Sequence, residues 1–273
     1  MTQLRLNTKL SETVFCALDV ETTGMRASVH KIVEIGMVKF TFDGVIDEFE
    51  TLVNPEQHIP QSVTRIHGIT NEMVSSSLPV SSIIKKIKSF LNGTILVIQN
   101  PGFDFSFLSR AFYDNNIKMD VLYAIDTVRL SKRAYPQLGN HKLDTVSEHI
   151  GFKFEHHRAL PDAYACMEIF LSSLSVLDPQ KKFTLSGLAS LHGKFIKPKP
   201  VLTPPKKIEE VNGIKIGIPV TIKYKDSKGN ISQREIIPYN IYNEDSIFAY
   251  CKLRNEERSF KINRIAEIEA LTP

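Results

Sequence analysis

Cysteine is scarce in this chain and tryptophan is absent. The three cysteines, Cys16, Cys166 and Cys251, stand far apart among 273 residues. Odd in number and without a Cys-x-x-Cys pair, they argue against a disulfide framework and a cysteine zinc site, and fit a reducing compartment. Long apolar runs are lacking as well. The longest, such as Ile95 to Ile98, fall far short of the roughly 20 residues a spanning helix needs. The opening MTQLRLNTKL has no apolar core of signal-peptide length, so the reading is a cytoplasmic chain without membrane association. Asn92-Gly93-Thr94 matches a glycosylation sequon that would be idle there.

There is no strong charge imbalance either: the formal net charge is +4, with 42% hydrophobic and 23% charged residues, ordinary values for a soluble globular chain. The distribution is less even. From Leu171 onward stand 17 of the 34 Lys+Arg but only 11 of the 30 Asp+Glu. A basic C-terminal third would attract a polyanion, and a slightly acidic remainder can hold divalent cations.

Val14 to Val20 reads as a buried strand, followed by strands around Ile32 to Phe42 and Asp47 to Leu52 with an Asp43-Gly44 turn between them. Ile83, Ile84, Ile87, Phe90 and Leu91 recur at helical spacing after Pro79, and Thr94 to Ile98 is a short apolar strand. Helices are expected over Phe103 to Asp114, Thr127 to Arg133, Lys142 to Ile150 and Pro161 to Leu174, giving a mixed α/β domain that ends near residue 175. Asp178 to Asn212, with prolines among lysines, reads as a semi-extended linker. Short β-type runs over Val220 to Tyr224, Arg234 to Ile237, Ile247 to Leu253 and Ser259 to Ile262 then predict a small all-β barrel or sandwich.

Asp19 and Glu21, two apart on a strand, project to the same side. Paired anions there are unfavourable unless a cation lies between them, and a hard divalent ion with oxygen ligands is the natural remedy. A bare Asp-x-Glu arises by chance about once in a chain this long, so the pair alone is weak. Thr22-Thr23-Gly24 adds a tight turn whose backbone N–H groups could hold a phosphate. Asp104 follows a second strand at a helix start, after Asn100 and Phe103. Pro161 suits a first helical turn, which puts Asp162 at a helix start and His157 in the loop before it. Four carboxylates can hold two divalent ions about 4 Å apart, and an imidazole can deprotonate a water.

In this order, Asp19-x-Glu21-Thr22-Thr23-Gly24, Asn100 with Phe103-Asp104, and His157-x-x-x-x-Asp162 resemble the three motifs of the DEDDh exonuclease family. The resemblance runs from about Thr13 to Leu174 and is closest to the proofreading epsilon subunit of bacterial DNA polymerase III. Arg65-Ile66-His67-Gly68-Ile69 is similar to that family's His-Gly-Ile segment. The resemblance implies an RNase H-like fold and hydrolysis from a 3′ end that releases nucleoside monophosphates. It implies Asp19, Glu21, Asp104 and Asp162 as ligands of two Mg²⁺ or Mn²⁺ ions and His157 as general base. Thr22, Met25, His67 and Phe103 would hold the 3′ nucleotide, with Thr23, Gly24 and Asn100 beside them. Gln99 departs from the family, where the epsilon subunit usually has His beside the Asn. No polymerase-binding tail is recognisable, which leaves polymerase association open.

Residues from about Ile214 to Glu269 resemble a WYL domain, a small Sm-like β-barrel, through Ser232 to Pro238, Ala249-Tyr250-Cys251 and Arg258 to Ile265. The Trp-Tyr-Leu tripeptide is missing; Ser246-Ile247-Phe248 stands there. The resemblance implies a site for nucleic acid or a nucleotide-like ligand, and Arg234, Arg254, Arg258 and Arg264 with Tyr250 could converge on it, since arginine forks match phosphate oxygens.

The resulting expectation is an α/β protein with three parts. Residues 1–176 form an RNase H-like mixed-sheet exonuclease domain, 177–212 a basic Pro/Lys-rich linker, and 213–273 a WYL-like barrel. Its partner would be a nucleic acid with a free 3′ end, single-stranded DNA first and RNA second. An RNA-directed enzyme of the RNase T or oligoribonuclease type, or a ligand-sensing regulator on a non-catalytic nuclease scaffold, are the alternatives.

Overall fold

The computed structural model describes residues 6–120, 123–199, 201, 207–242 and 246–270. The chain divides into two compact units: Met1–Ile59 with Ile66–Val201, and Pro60–Arg65 with Leu202–Pro273.

The first unit opens with three antiparallel strands, β1 (Phe15–Thr22), β2 (Ile32–Thr41) and β3 (Gly44–Leu52). Helix α1 (Gln61–His67) follows, its residues up to Arg65 belonging to the second unit; then come α2 (Asn71–Val74), α3 (Val80–Leu91), β4 (Ile95–Ile98) and α4 (Gly102–Asp114). Next come β5 (Ala124–Asp126), α5 (Thr127–Ala134), α6 (Leu143–His149), α7 (Ala159–Leu177) and α8 (Leu185–His192). The sheet order is β3-β2-β1-β4-β5, and β4 runs parallel to both β1 and β5. This is the mixed α/β architecture expected.

Alternation along β1 divides the core. Phe15 and Ala17 face a cluster with Phe40, Phe170 and Leu174, where the Phe15 and Phe170 rings lie 4.8 Å apart. Cys16, Leu18 and Val20 face the opposite layer, with Ile84 and Ile87 of α3 and Phe105 and Leu108 of α4. Helices therefore cover both faces, and the carboxyl ends of the parallel strands β1 and β4 are left adjacent, the usual place for a ligand crevice in such sheets. Helix α7 is long and apolar enough by composition to cross a membrane, but half of it is buried and its Cys166, Ile169 and Phe170 are core residues.

Within the expected linker 177–212, the described residues from 184 to 196 are folded and not extended; residues 200 and 202–206 lie outside the described residues. Thr184 caps α8 by accepting the Gly187 N–H, and Leu185 and Leu188 are buried in the α7 core. Ile196 exchanges two backbone hydrogen bonds with Ala124. The first unit thus extends to Val201.

In the second unit β6 (Lys207–Ile208), β7 (Glu210–Val211) and β8 (Ile214–Lys215) precede β9 (Val220–Lys225), β10 (Ile231–Tyr242), β11 (Ser246–Cys251), β12 (Glu256–Lys261) and β13 (Ile265–Ala270). The order β12-β11-β10-β9-β13 is antiparallel throughout, with β6 on β10. Ile222, Ile236, Ile247, Ala249 and Phe260 form its core. Asn212 and Gly213 join β7 to β8 with φ of 49° and 82°, the paired positive values a two-residue hairpin turn requires.

Candidate active site

Four acidic side chains meet at the carboxyl end of β1. Asp19 and Glu21 are the two half-buried positions on that strand, and they lie on the face that carries Phe15 and Ala17 toward α7. Asp162, in the first turn of α7, is buried on the same side, and oxygens of Asp19, Glu21 and Asp162 fall within 4.8 Å of one another. Asp104 arrives from the start of α4 and is buried; its Oδ1 has no hydrogen-bond partner.

Such crowding is costly for charged groups. Burial, then the charges of Asp104, Asp162, Glu21 and Glu34, push the Asp19 carboxyl well above its ordinary range. Burial and neighbouring carboxylates push Glu21 up to about 8. Burial likewise pushes Asp104 up to about 8, against the pull of its own and the Val20 backbone N–H. Asp162 is raised by burial too, opposed by His156 and His157.

His157 sits in the loop before α7 in a left-handed conformation, φ 68°. Its backbone N–H donates to Asp162 Oδ2 at 3.2 Å, while its ring is exposed. Partial burial and His156 hold its imidazole below the ordinary value, so it is a neutral proton acceptor at neutral pH. The structure also brings in His156, which the motif spacing leaves out. Its Nδ1 lies 2.8 Å from Asp162 Oδ1, and its ring stacks on that of His157 with centroids 3.9 Å apart. The doubled His156-His157 is the only trace of this in the sequence.

The expected nucleotide-holding residues separate into two groups. Thr22, Thr23 and His67 are buried and build the turn. Thr22 Oγ1 donates to the Gly24 carbonyl at 2.8 Å, and Thr23 Oγ1 accepts the Lys31 N–H and the Gln57 amide. His67 Nδ1 accepts the Ile69 N–H at 3.0 Å, so Nε2 carries the proton and donates to the Thr22 carbonyl at 3.3 Å. Both ring nitrogens are therefore engaged within the protein, and His67 organises the turn. Gly24 has φ 152°, and a Cβ there would come within 2.7 Å of the His30 ring. Met25 (77% exposed), the exposed Asn100 and the half-buried Phe103 are the accessible members. Gln99 donates to the His141 carbonyl at 2.9 Å and accepts from Thr127 Oγ1, which makes it a brace between β4 and α5.

An all-oxygen set with an unpartnered buried oxygen at Asp104 fits hard divalent cations. Arg158, which favours the charged form of Glu21, is itself hydrogen-bonded to Glu34, and His156 faces Asp162 alone of the four carboxylates among the described hydrogen bonds.

The five residues proposed for the second unit do not share one face. Arg234 pairs with Ile222 and Arg258 with Ala249, so both lie on the core side of the sheet. Tyr250, next to Ala249, points the other way and its hydroxyl donates to Asn255. Arg258 pairs with Glu256 at 2.9 Å, and Arg234 Nε donates to Ser232 Oγ at 3.0 Å. Arg254 and Arg264 occupy, respectively, the turn before β12 and the 3₁₀ turn before β13.

The sequence profile of the exonuclease family matches residues 16–170, and that of the WYL domain matches residues 212–270. A DNA polymerase III PolC-type protein of Caldanaerobacter subterraneus subsp. tengcongensis is 32% identical over 225 residues, 82% of this chain and 15% of that protein. The corresponding Thermotoga maritima protein is 34% identical over 182 residues, 66% of this chain and 13% of its own. The chain thus spans a small part of these relatives. Among solved structures, Exonuclease X in complex with 5′ overhanging duplex DNA superposes with a TM-score of 0.51 at 21% identity, covering 66% of this chain and 99% of that one. The nuclease domain of 3′hExo, a DEDDh family member bound to rAMP, gives 0.51 at 21% identity, covering 59% and 92%. E. coli Exonuclease I in complex with a dA16 oligonucleotide gives 0.54 at 16% identity, covering 88% and 55%.

Proposed function

We propose that this chain, which belongs to the exonuclease family, removes nucleoside monophosphates one at a time from the 3′ end of single-stranded DNA in a reaction that needs divalent cations. One observation carries the reading: Asp19, Glu21 and Asp162 present oxygens within 4.8 Å of one another beside a buried, unpartnered Asp104 oxygen. Asp162 has partners inside the protein, but the buried Asp104 Oδ1 has none, which leaves the cluster open to completion by a cation. That is also why a non-catalytic scaffold is the poorer reading.

Asp19, Glu21, Asp104 and Asp162 would hold two cations, Mg²⁺ or Mn²⁺, which supply Lewis-acid stabilisation of the phosphate and a more acidic water. The remaining work falls to the chain. The turn from Thr22 to Met25, with Phe103 beside it, orients the terminal nucleotide, and contacts to backbone and base faces give little sequence preference. His157 takes the proton of the attacking water. The water oxygen bonds to phosphorus, the bond from phosphorus to the penultimate O3′ breaks, and that oxygen takes a proton from solvent to become the new 3′ hydroxyl. The released nucleotide keeps its 5′ phosphate.

In the second unit we read the antiparallel strands as an Sm-like barrel that adds an anion-binding surface for nucleic acid or a nucleotide-like ligand. Its basic Arg254 and Arg264, in turns, support this more than Tyr250 does.

Product analysis tests the reading. Pure protein with Mg²⁺ is given 3′-labelled and 5′-labelled single strands of DNA and of matched RNA. Labelled mononucleotide released at once from the 3′-labelled DNA, and ladders from the 5′-labelled DNA, are the expected result. Faster loss of the RNA would assign the chain to RNA turnover, and no release from any strand would overturn the activity.

A further inference from the structure

Glu34 stands in the apolar run Ile32-Val33-Glu34-Ile35 near one end of the antiparallel β1–β2 pair, beside the register shift between Glu21 and Thr22, and is wholly buried. Its cross-strand neighbour is Glu21, and the neighbour of Asp19 is Gly36. Two carboxylates directly opposite each other are unfavourable unless donors compensate them. Glu34 has several. Arg158 Nε lies 3.1 and 3.2 Å from its two oxygens, the terminal Arg158 nitrogen lies 2.7 Å from Oε1, and the Ala159 N–H donates to Oε2 at 2.9 Å. Arg158 and Ala159 are the two residues after His157. Two positions along β2, Gly36 meets the same segment so closely that a Cβ there would stand 2.1 Å from the Ala159 carbonyl carbon. The start of α7 is therefore fastened to β2 at two successive positions on one face.

We propose that Glu34 and Arg158 are a positioning pair for the exonuclease site. They set the separation between the segment carrying His157 and Asp162 and the strand carrying Asp19 and Glu21, and act through those residues without touching substrate. The inference rests on the exonuclease reading of the site. Repulsion among Asp19, Glu21 and Asp162 tends to spread them, and a shift of about 1 Å in a reacting group can cost about 100-fold in rate. A guanidinium fork spans both oxygens of a carboxylate while its chain stays fixed; an ammonium at the same place is a single point charge. The pair of buried Glu34 and half-buried Arg158, opposite Glu21, thus holds a geometry that the carboxylates themselves oppose.

The test compares Arg158→Lys and Glu34→Gln with the unaltered full-length protein. Folded fraction is followed by circular dichroism, Mn²⁺ affinity by calorimetry, and kcat and KM on a 3′-labelled single DNA strand. Both variants are expected to lower kcat and weaken Mn²⁺ binding by about 10–100-fold, as removal of groups behind metal ligands does, with KM changed less than about threefold. Unaltered kcat and Mn²⁺ affinity in folded Arg158→Lys would overturn the proposal. So would a fall in kcat no larger than the loss of folded protein, or a change confined to KM. Should the unaltered protein cut no strand at all, the exonuclease reading falls separately and the Mn²⁺ affinities alone decide the pair: weaker binding upholds it, equal binding sinks it.

Discussion

The backbone N–H of His157 holds Asp162 Oδ2 at 3.2 Å, so the residue proposed as proton acceptor is also the anchor of a metal-ligand candidate. The left-handed turn at His157 makes this double use possible, because it aims the N–H back at α7 while leaving the ring exposed. Main chain and side chain can therefore be separated by substitution.

Replacing His157 with Gln is expected to remove the proton acceptor and keep the anchor. Single-turnover cleavage of a 3′-labelled strand should slow by about 10²–10⁴-fold, the usual worth of a general base. Calorimetry should find Mn²⁺ bound nearly as in the unaltered protein. Loss of Mn²⁺ binding along with activity would instead make the His157 ring itself a ligand.

Acidity should act on the cation-free protein in an unusual direction. Glu21 and Asp104 have carboxyls pushed up to about 8, so the folded protein takes their protons more readily than the unfolded chain. Their contribution to stability is complete below the ordinary carboxylate range and is lost as pH rises to about 8. Melting temperature without cations should fall between pH 5.5 and 8.5. Mn²⁺ should raise it, and raise it more at pH 8.5, because cation and proton compete for the same oxygens. Equal Mn²⁺ shifts at both pH values would contradict this coupling.

Asp19 bears the repulsion of four carboxylates. Asp19→Asn removes one charge from the cluster at little change in shape, so thermal melting at pH 8 without cations should show a protein more stable than the original. Nucleotide release should meanwhile disappear, a stability gained at the expense of function. A less stable, still active variant would show that Asp19 is a structural residue.

Gly36→Ala should be far worse than its size suggests. The new methyl would meet the Ala159 main chain at 2.1 Å, and neither strand nor helix start can yield cheaply. Overpacking of this kind costs about 1–3 kcal/mol, measurable by denaturant unfolding, and the displaced α7 should lose activity as well. Unchanged stability would mean that the helix start is loosely held.

The candidate set was legible because each member carries a local signature: Asp19 and Glu21 two apart on a strand, Asp104 and Asp162 at helix starts, His157 five residues before Asp162. Alternation and helical spacing also gave β1, α3, α4 and α7 nearly as they stand. Helix α8 was not readable, because lysines and prolines surround it and its apolar Leu185 and Leu188 matter only once α7 offers a surface. Three-residue β5 is too short to show a period.

What the sequence by itself determined, then, is which residues are the candidates for the proposed chemistry, since residue type and spacing follow from local geometry. The tertiary structure alone decided how they are held. Glu34 reads as a stray charge in an apolar strand and Gly36 as one small residue among several. Only when α7 crosses β2 does one receive Arg158 and the other admit the Ala159 main chain. Contacts between residues more than a hundred positions apart have no local signal; they arise from the cost of leaving a buried charge unpaired and from the shortage of space between packed elements.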